Sequence, residues 1–166
     1  MELGLISEAY ERMRGLSLIE LLLVMLLMAS FALVSMAPIH NYLIHMRNEK
    51  TFDALKRTMD HMRWQAIAQN QMYGVCGSSD RQHCNGEWAS GVIGFGLAGR
   101  VITTIDISPD CHLRFVGSLG RNSAIFFTPG GMTQGQQGHF YCENHVLDDH
   151  WQLDVKINGA TVLFNA

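Results

Sequence analysis

The sequence predicts an α+β fold in which one long N-terminal helix packs on antiparallel β-sheet. Three observations predict it. A charge-free apolar run of lipid length leads into an apolar stripe at three- and four-residue spacing, so one helix can carry both. From Val75 onward the pattern changes to short segments rich in β-branched and aromatic residues, separated by turn residues. Asn158-Gly159 then joins WQLDVKI to ATVLF, a dipeptide that favours a hairpin with a type I′ turn. The 166 residues have room for a single core once a membrane segment is set aside.

The apolar run comes first. Residues 21–39 read LLLVMLLMASFALVSMAPI, without a charge, and about 20 apolar residues suffice to cross a bilayer as a helix. Glu20 stands at its start, where a carboxylate in lipid costs roughly 2.5–3.5 kcal/mol and so calls for a use. Three readings compete. A secretory signal peptide would use Arg12, Arg14 and the small residues of VSMA at 34–37, but the run is longer than a usual apolar signal core and Glu20 interrupts its start. A plain signal anchor tolerates the length and leaves Glu20 without purpose. In the third, a polar leader of residues 1–15 is cut after Gly15, and the new amine of Leu16 lies one helical turn from Glu20. Only this reading gives the carboxylate a cationic partner.

RG-LSLIELLLVMLLM resembles the class III signal of type IV prepilins and type II secretion pseudopilins, in which glycine, apolar residue, glutamate and lipid-length run coincide. The resemblance implies cleavage by prepilin peptidase between Gly15 and Leu16, and N-methylation of Leu16 by the same enzyme. It also implies that Glu20 pairs with the N-terminal amine of an adjacent subunit during assembly. Leu16 stands where phenylalanine is usual, and Pro38 falls one position after the family's helix-kinking proline. The implied location is the inner membrane, crossed once, with the C-terminal domain in the periplasm and later in a filament.

Beyond the membrane, Phe52, Leu55, Met59, Met62 and Ala66 form the narrow apolar stripe. Glu49, Lys50, Asp53, Lys56, Arg57, Asp60 and Arg63 lie between them as a solvated mixed-charge face, and the methionines read as gap-fillers in a core. Asn70 and Gly74 offer places to stop. A helix from Leu16 to Asn70 would be about 80 Å long, with a bend expected near Pro38, whose ring removes one backbone hydrogen bond. The expected division is therefore 1–15 leader, 16–39 membrane or filament-core helix, 40–73 amphipathic continuation and 74–166 β-rich domain.

Candidate strands are 92–95, 101–107, 112–116, 124–128, 139–142, 151–157 and 161–164. Pro129-Gly130-Gly131 marks a turn. Trp151, Leu153, Val155 and Ile157 alternate with polar residues, which predicts a strand with one face buried. This half, with GVCGSSDRQHCNGEWASGVIGF, SAIFFTPGGMTQGQQGHFYC and a C-terminal hairpin, is similar to the GspH/FimT-like branch of minor pilins and pseudopilins. The resemblance covers nearly the whole mature chain and implies the pilin-like fold. It also implies a structural subunit, at or near a filament tip, whose partners are other pilin or pseudopilin subunits.

Four cysteines, at 76, 84, 111 and 142, fall on the side of the membrane where disulfides form, and three connectivities are open to them. The branch favours a small loop closed by Cys76–Cys84, which leaves Cys111–Cys142. His83-Cys84, Cys111-His112 and Cys142-x-x-His145 do not reproduce paired zinc-knuckle spacing, so no metal is expected, and no other cofactor.

The sequence carries no Gly-x-Ser-x-Gly, His-Glu-x-x-His or phosphate-loop motif, so no enzyme is expected. Gly94-Phe-Gly-Leu-Ala-Gly99 has dinucleotide-loop spacing but no helix pattern after it. Asp148-Asp149-His150 reads as a solvated turn rather than an acid–base cluster. Some members of the branch bind DNA, and in those the resemblance places Gly-Arg-x-Arg near the C-terminal strand. The matching segment here is Gly159-Ala160-Thr161-Val162, with both arginines absent. Arg114 and Arg121 are left as a weak alternative patch. Residues 47–166 hold ten basic and eleven acidic residues, a net charge of −1 that argues against a nucleic-acid surface.

Overall fold

Phe52, Leu55, Met59, Met62 and Ala66 are fully buried, so the narrow stripe is the helix face around which the domain is built. In this computed structural model the residues described are 17–120, 124–143 and 151–165, with the side chains of 32–38 and 165 excepted. They fall into two compact units, Met1–His40 and Asn41–Ala166.

Helix α1 runs Leu18–Gln69. Ser17 precedes it, and its carbonyl accepts from the N–H of Glu20 at 2.9 Å and of Leu21 at 3.2 Å. At the other end Asn70 takes the left-handed conformation, φ 51°. Asn70 N–H donates to Ile67 and Gln71 N–H to Ala66, the pair of bonds that closes a Schellman motif. The helix therefore stops at Asn70 as expected, while Gly74 lies inside the first strand. The backbone remains helical through Pro38. Pro38 belongs to residues 32–38, so the bend expected from its ring lies outside the described side chains.

Among the described residues eight strands form two antiparallel sheets. The first has the order β3-β2-β1-β5, from β1 (Tyr73–Gly77), β2 (Gly91–Phe95), β3 (Val101–Asp106) and β5 (Ile125–Phe127). The second has the order β4-β6-β7-β8, from β4 (His112–Gly117), β6 (Gly138–Glu143), β7 (Trp151–Val155) and β8 (Thr161–Asn165). All seven candidate strands are present within a residue or two of their expected ends. Strand β1 was not among them. Its YGVCG is buried on both faces, so it shows no alternation, and its glycines serve close packing. A Cβ on Gly74 would strike the ring of Phe95, and one on Gly77 the backbone of Trp88.

The core joins the helix stripe to Val75, Val92, Ile93, Ile125 and Phe127 of the first sheet and Leu113, Phe115, Phe140, Leu153 and Val155 of the second. Trp88 stands edge-on to Phe140 at 4.9 Å between centroids and tilted to Phe115 at 5.7 Å. Burying such side chains contributes roughly 1.5–3 kcal/mol each.

Three details differ from the sequence reading. Asp60 and Arg63 are not part of a solvated face. Asp60 accepts from the Thr161 hydroxyl at 2.8 Å, and Arg63 donates to the carbonyls of Gly131 and Asn158 at 2.9 and 3.1 Å. The helix reaches out to cap turns that sequence distance hides. The β7–β8 connection is also not type I′. Asn158 keeps a negative φ, Gly159 alone is left-handed at 76°, and Gly159 N–H donates to Lys156, a type I turn closed by a glycine bulge. Ile157 consequently falls in the turn, exposed, rather than continuing the buried row of Trp151, Leu153 and Val155.

Candidate functional site

Every large apolar side chain described between 18 and 31 is exposed, from 45% at Val24 to 80% at Leu18. Successive helical residues are rotated by about 100°, so these side chains cover all faces of the helix. A helix apolar all round belongs in lipid or in the core of a larger body. Ser30, the one hydroxyl in this stretch, donates to the carbonyl of Leu27 at 2.7 Å and so needs no outside partner. Among the described residues no helix is long and apolar enough to cross a membrane. The described side chains of the run end at Phe31, and 32–38 continue it in sequence only.

Glu20 is exposed in the first turn of α1. Counting Ser17 as the cap, Glu20 is the third helical residue, and Ser17-x-x-Glu20 is the spacing of a capping box. A carboxylate here is also favoured by the positive end of the helix dipole. The sequence reading gave Glu20 only an amine as partner, although the S-x-x-E spacing was there to find. Gly15 and Leu16, the two residues of the expected cut, lie outside the described residues.

In the β-rich domain the structure joins Cys76 to Cys84 and Cys111 to Cys142, with Cα separations of 5.7 and 5.0 Å, inside the normal range. Sulfurs engaged this way are not available as thiolate ligands. The Cys76–Cys84 loop is organised around Asp80. Its carboxylate accepts from His83 Nδ1 at 2.6 Å, from the backbone N–H groups of His83 and Gln82, and from Ser78 Oγ. The His83 side chain first, then these amides, hold the Asp80 carboxyl well below the usual carboxylate range. Arg81 in the same loop pairs with Asp106 of β3 at 2.6 Å.

The remaining candidates do not come together. Arg114 Nε lies 2.5 Å from Glu143 Oε2, so its charge is already matched within the sheet. Arg121, His145 and Asp148-Asp149-His150 lie outside the described residues. Gly94 lies inside β2 and Gly99 closes a single 3-10 turn, with no helix after it to receive a phosphate. Gly94 instead makes room for Met62 of α1, whose Sδ an added Cβ would meet at 2.8 Å.

A long N-terminal helix against which two antiparallel sheets are built also occurs in solved structures. The Pseudomonas aeruginosa type IV minor pilin FimU superposes with a TM-score of 0.58 at 16% identity, over 72% of this chain and 90% of that one. The minor pseudopilin EpsH of the Vibrio cholerae type 2 secretion system superposes with a TM-score of 0.51 at 13% identity, over 72% and 97%. This chain has the pilin fold. At such identities the likeness is one of fold, α+β with the long helix packed on antiparallel sheets. No family model matches the sequence, and no curated protein matches it. Within the pilin fold the uncovered helix 18–31 and Glu20 are the features that call for a partner.

Proposed function

We propose that this chain is a minor pilin or pseudopilin, a structural subunit that works by assembling into a type IV pilus or a type II secretion pseudopilus. The observation that carries the reading is the exposed helix 18–31, apolar on every face apart from Ser30 and with Glu20 in its first turn, on a chain of pilin fold. Such a surface is stable only against lipid or against similar helices. Before assembly the helix lies in the inner membrane, once prepilin peptidase has cut between Gly15 and Leu16 and methylated Leu16. After assembly it packs among neighbouring helices, where Glu20 is neutralised by an N-terminal amine. The β-rich domain faces outward and meets other subunits at or near the filament tip. No step asks this chain for catalysis or a cofactor.

The test is the intact mass of the mature chain isolated from membranes. Loss of residues 1–15 together with the gain of one methyl group is the expected result. An uncut chain, or a new N-terminus at Pro38, overturns the reading.

A further inference from the structure

The second sheet has two edges, β4 and β8, and among the described residues neither has a strand beside it. Edge strands are usually guarded by charge, proline or a bulge, because alternate residues direct N–H and C=O groups outward. Strand β8 has none of these. It reads Thr-Val-Leu-Phe-Asn, pairs with β7 without a bulge, and leaves Phe164 46% exposed.

The opposite edge has room beside it. A cavity of about 150 Å³ lies between β4 and the loop before β2, lined by Glu87, Trp88, Leu113, Arg114 and Phe115 among others. Trp88 is 3% exposed, and its indole N–H is buried with no acceptor among the described residues. A buried donor left unpaired is costly, and it marks a place where a carbonyl oxygen would be welcome.

The two edges are complementary. All pairings in the sheet are antiparallel and the strands number four, so β4 and β8 run in opposite directions. A second copy placed alongside would therefore bring its β8 antiparallel to β4. The outer row of side chains runs Arg114, Tyr141, Gln152, Phe164 from one edge to the other. Continued across the join, it sets Phe164 of one copy beside Arg114 of the next, whose guanidinium, held by Glu143, offers a flat face on which the ring can stack.

We propose that the β4 edge and its cavity form an acceptor site for the β8 strand of a second copy of this chain, extending the sheet from one subunit to the next. The contact is head-to-tail, so it propagates rather than closing into a symmetric pair. It goes beyond the helix-based assembly proposed above and does not depend on processing at Gly15.

The test titrates the full chain, in detergent micelles, into a fluorescently labelled peptide of residues 159–166 and follows anisotropy. Saturable binding is expected. A Leu163→Pro peptide should bind about tenfold more weakly, through loss of a strand hydrogen bond. A Phe164→Ala peptide should lose about threefold, and the Trp88→Phe protein several-fold for the native peptide. Changes made in the peptide leave the folded protein untouched, so they remain informative if Trp88→Phe unfolds. Absence of binding up to roughly millimolar peptide, the weak end of useful affinity, overturns the proposal. So does equal binding of the proline or a scrambled peptide, or preference for the matching strand of a different pilin.

Discussion

Arg63 of α1 donates through Nε to the carbonyl of Gly131 at 2.9 Å, across 68 positions of sequence. Gly131 is left-handed at φ 73° and closes the Pro-Gly-Gly turn through its N–H to Thr128. The same guanidinium reaches Asn158 in the β7–β8 turn at 3.1 Å, so one side chain holds two turns that pack on each other. Between those turns, Thr133 N–H donates to Ile157 at 2.9 Å.

Replacing Arg63 by methionine should keep the stem's packing and lose both bonds. Hydrogen bonds from charged donors contribute about 1.5–3 kcal/mol, discounted here because the outer bond is exposed. A loss of about 2 kcal/mol is expected, read as a lower melting temperature by near-UV circular dichroism of the full chain in micelles. An unchanged melting temperature would show that the turns hold each other without the helix.

Leu55 and Trp64 give a contrast on one helix. Leu55 is fully buried, whereas Trp64 is 67% exposed. Leu55→Ala should destabilise by about 2–5 kcal/mol through transfer and cavity terms. Trp64→Ala should stay within about 0.5 kcal/mol in the same melt. Equal effects would contradict the assignment of the buried face.

Much of this was legible in the sequence, for physical reasons that also explain the gaps. The stripe from Phe52 to Ala66 could be read because a helix against a core repeats its apolar residues every three or four positions. The hairpin at Asn158-Gly159 could be read because glycine tolerates the left-handed region. Its turn type could not, since that depends on whether one residue or two adopt that region. Strand β1 escaped because Gly74 and Gly77 are there for a neighbouring ring and backbone, not for their own side chains. Asp60 and Arg63 escaped because a charged residue looks the same in sequence whether it meets water or a carbonyl far along the chain.

Asp80 predicts a pH dependence. Its carboxyl is held below the usual range in the folded state, so the unfolded chain takes up the proton first. The stabilisation is then fully present above the unfolded carboxylate value and disappears as pH falls through the lower folded one. Acid melts of the wild type should lose more stability over that window than those of Asp80→Asn, so the gap between the two is widest near neutral pH and closes as the folded carboxyl takes up its proton. Parallel pH profiles would remove Asp80 from the account.

The two disulfides should differ in weight. They span 8 and 31 positions, and loop-closure entropy gives roughly 2.5 and 3.5 kcal/mol. Cys111→Ser with Cys142→Ser should therefore lower the denaturation midpoint more than Cys76→Ser with Cys84→Ser. The reverse order would mean that contacts organised by Asp80 outweigh chain entropy.

Glu20→Ala tests assembly directly. The substitution should abolish incorporation into filaments, measured by blotting sheared surface fractions, while the melt of the β-rich domain stays unchanged. Normal incorporation would leave Glu20 with only its place near the positive end of the helix dipole.

The polar contacts of Asp60 and Arg63 also have a mechanical meaning. Both side chains belong to α1, and both hold segments near the chain's C-terminal hairpin, Thr161 and Asn158. Tension applied along α1 would shear these contacts side by side rather than peel them one after another. Parallel shear shares the force among them, so a pull on the helix would carry the hairpin with it instead of unzipping the second sheet from its last strand.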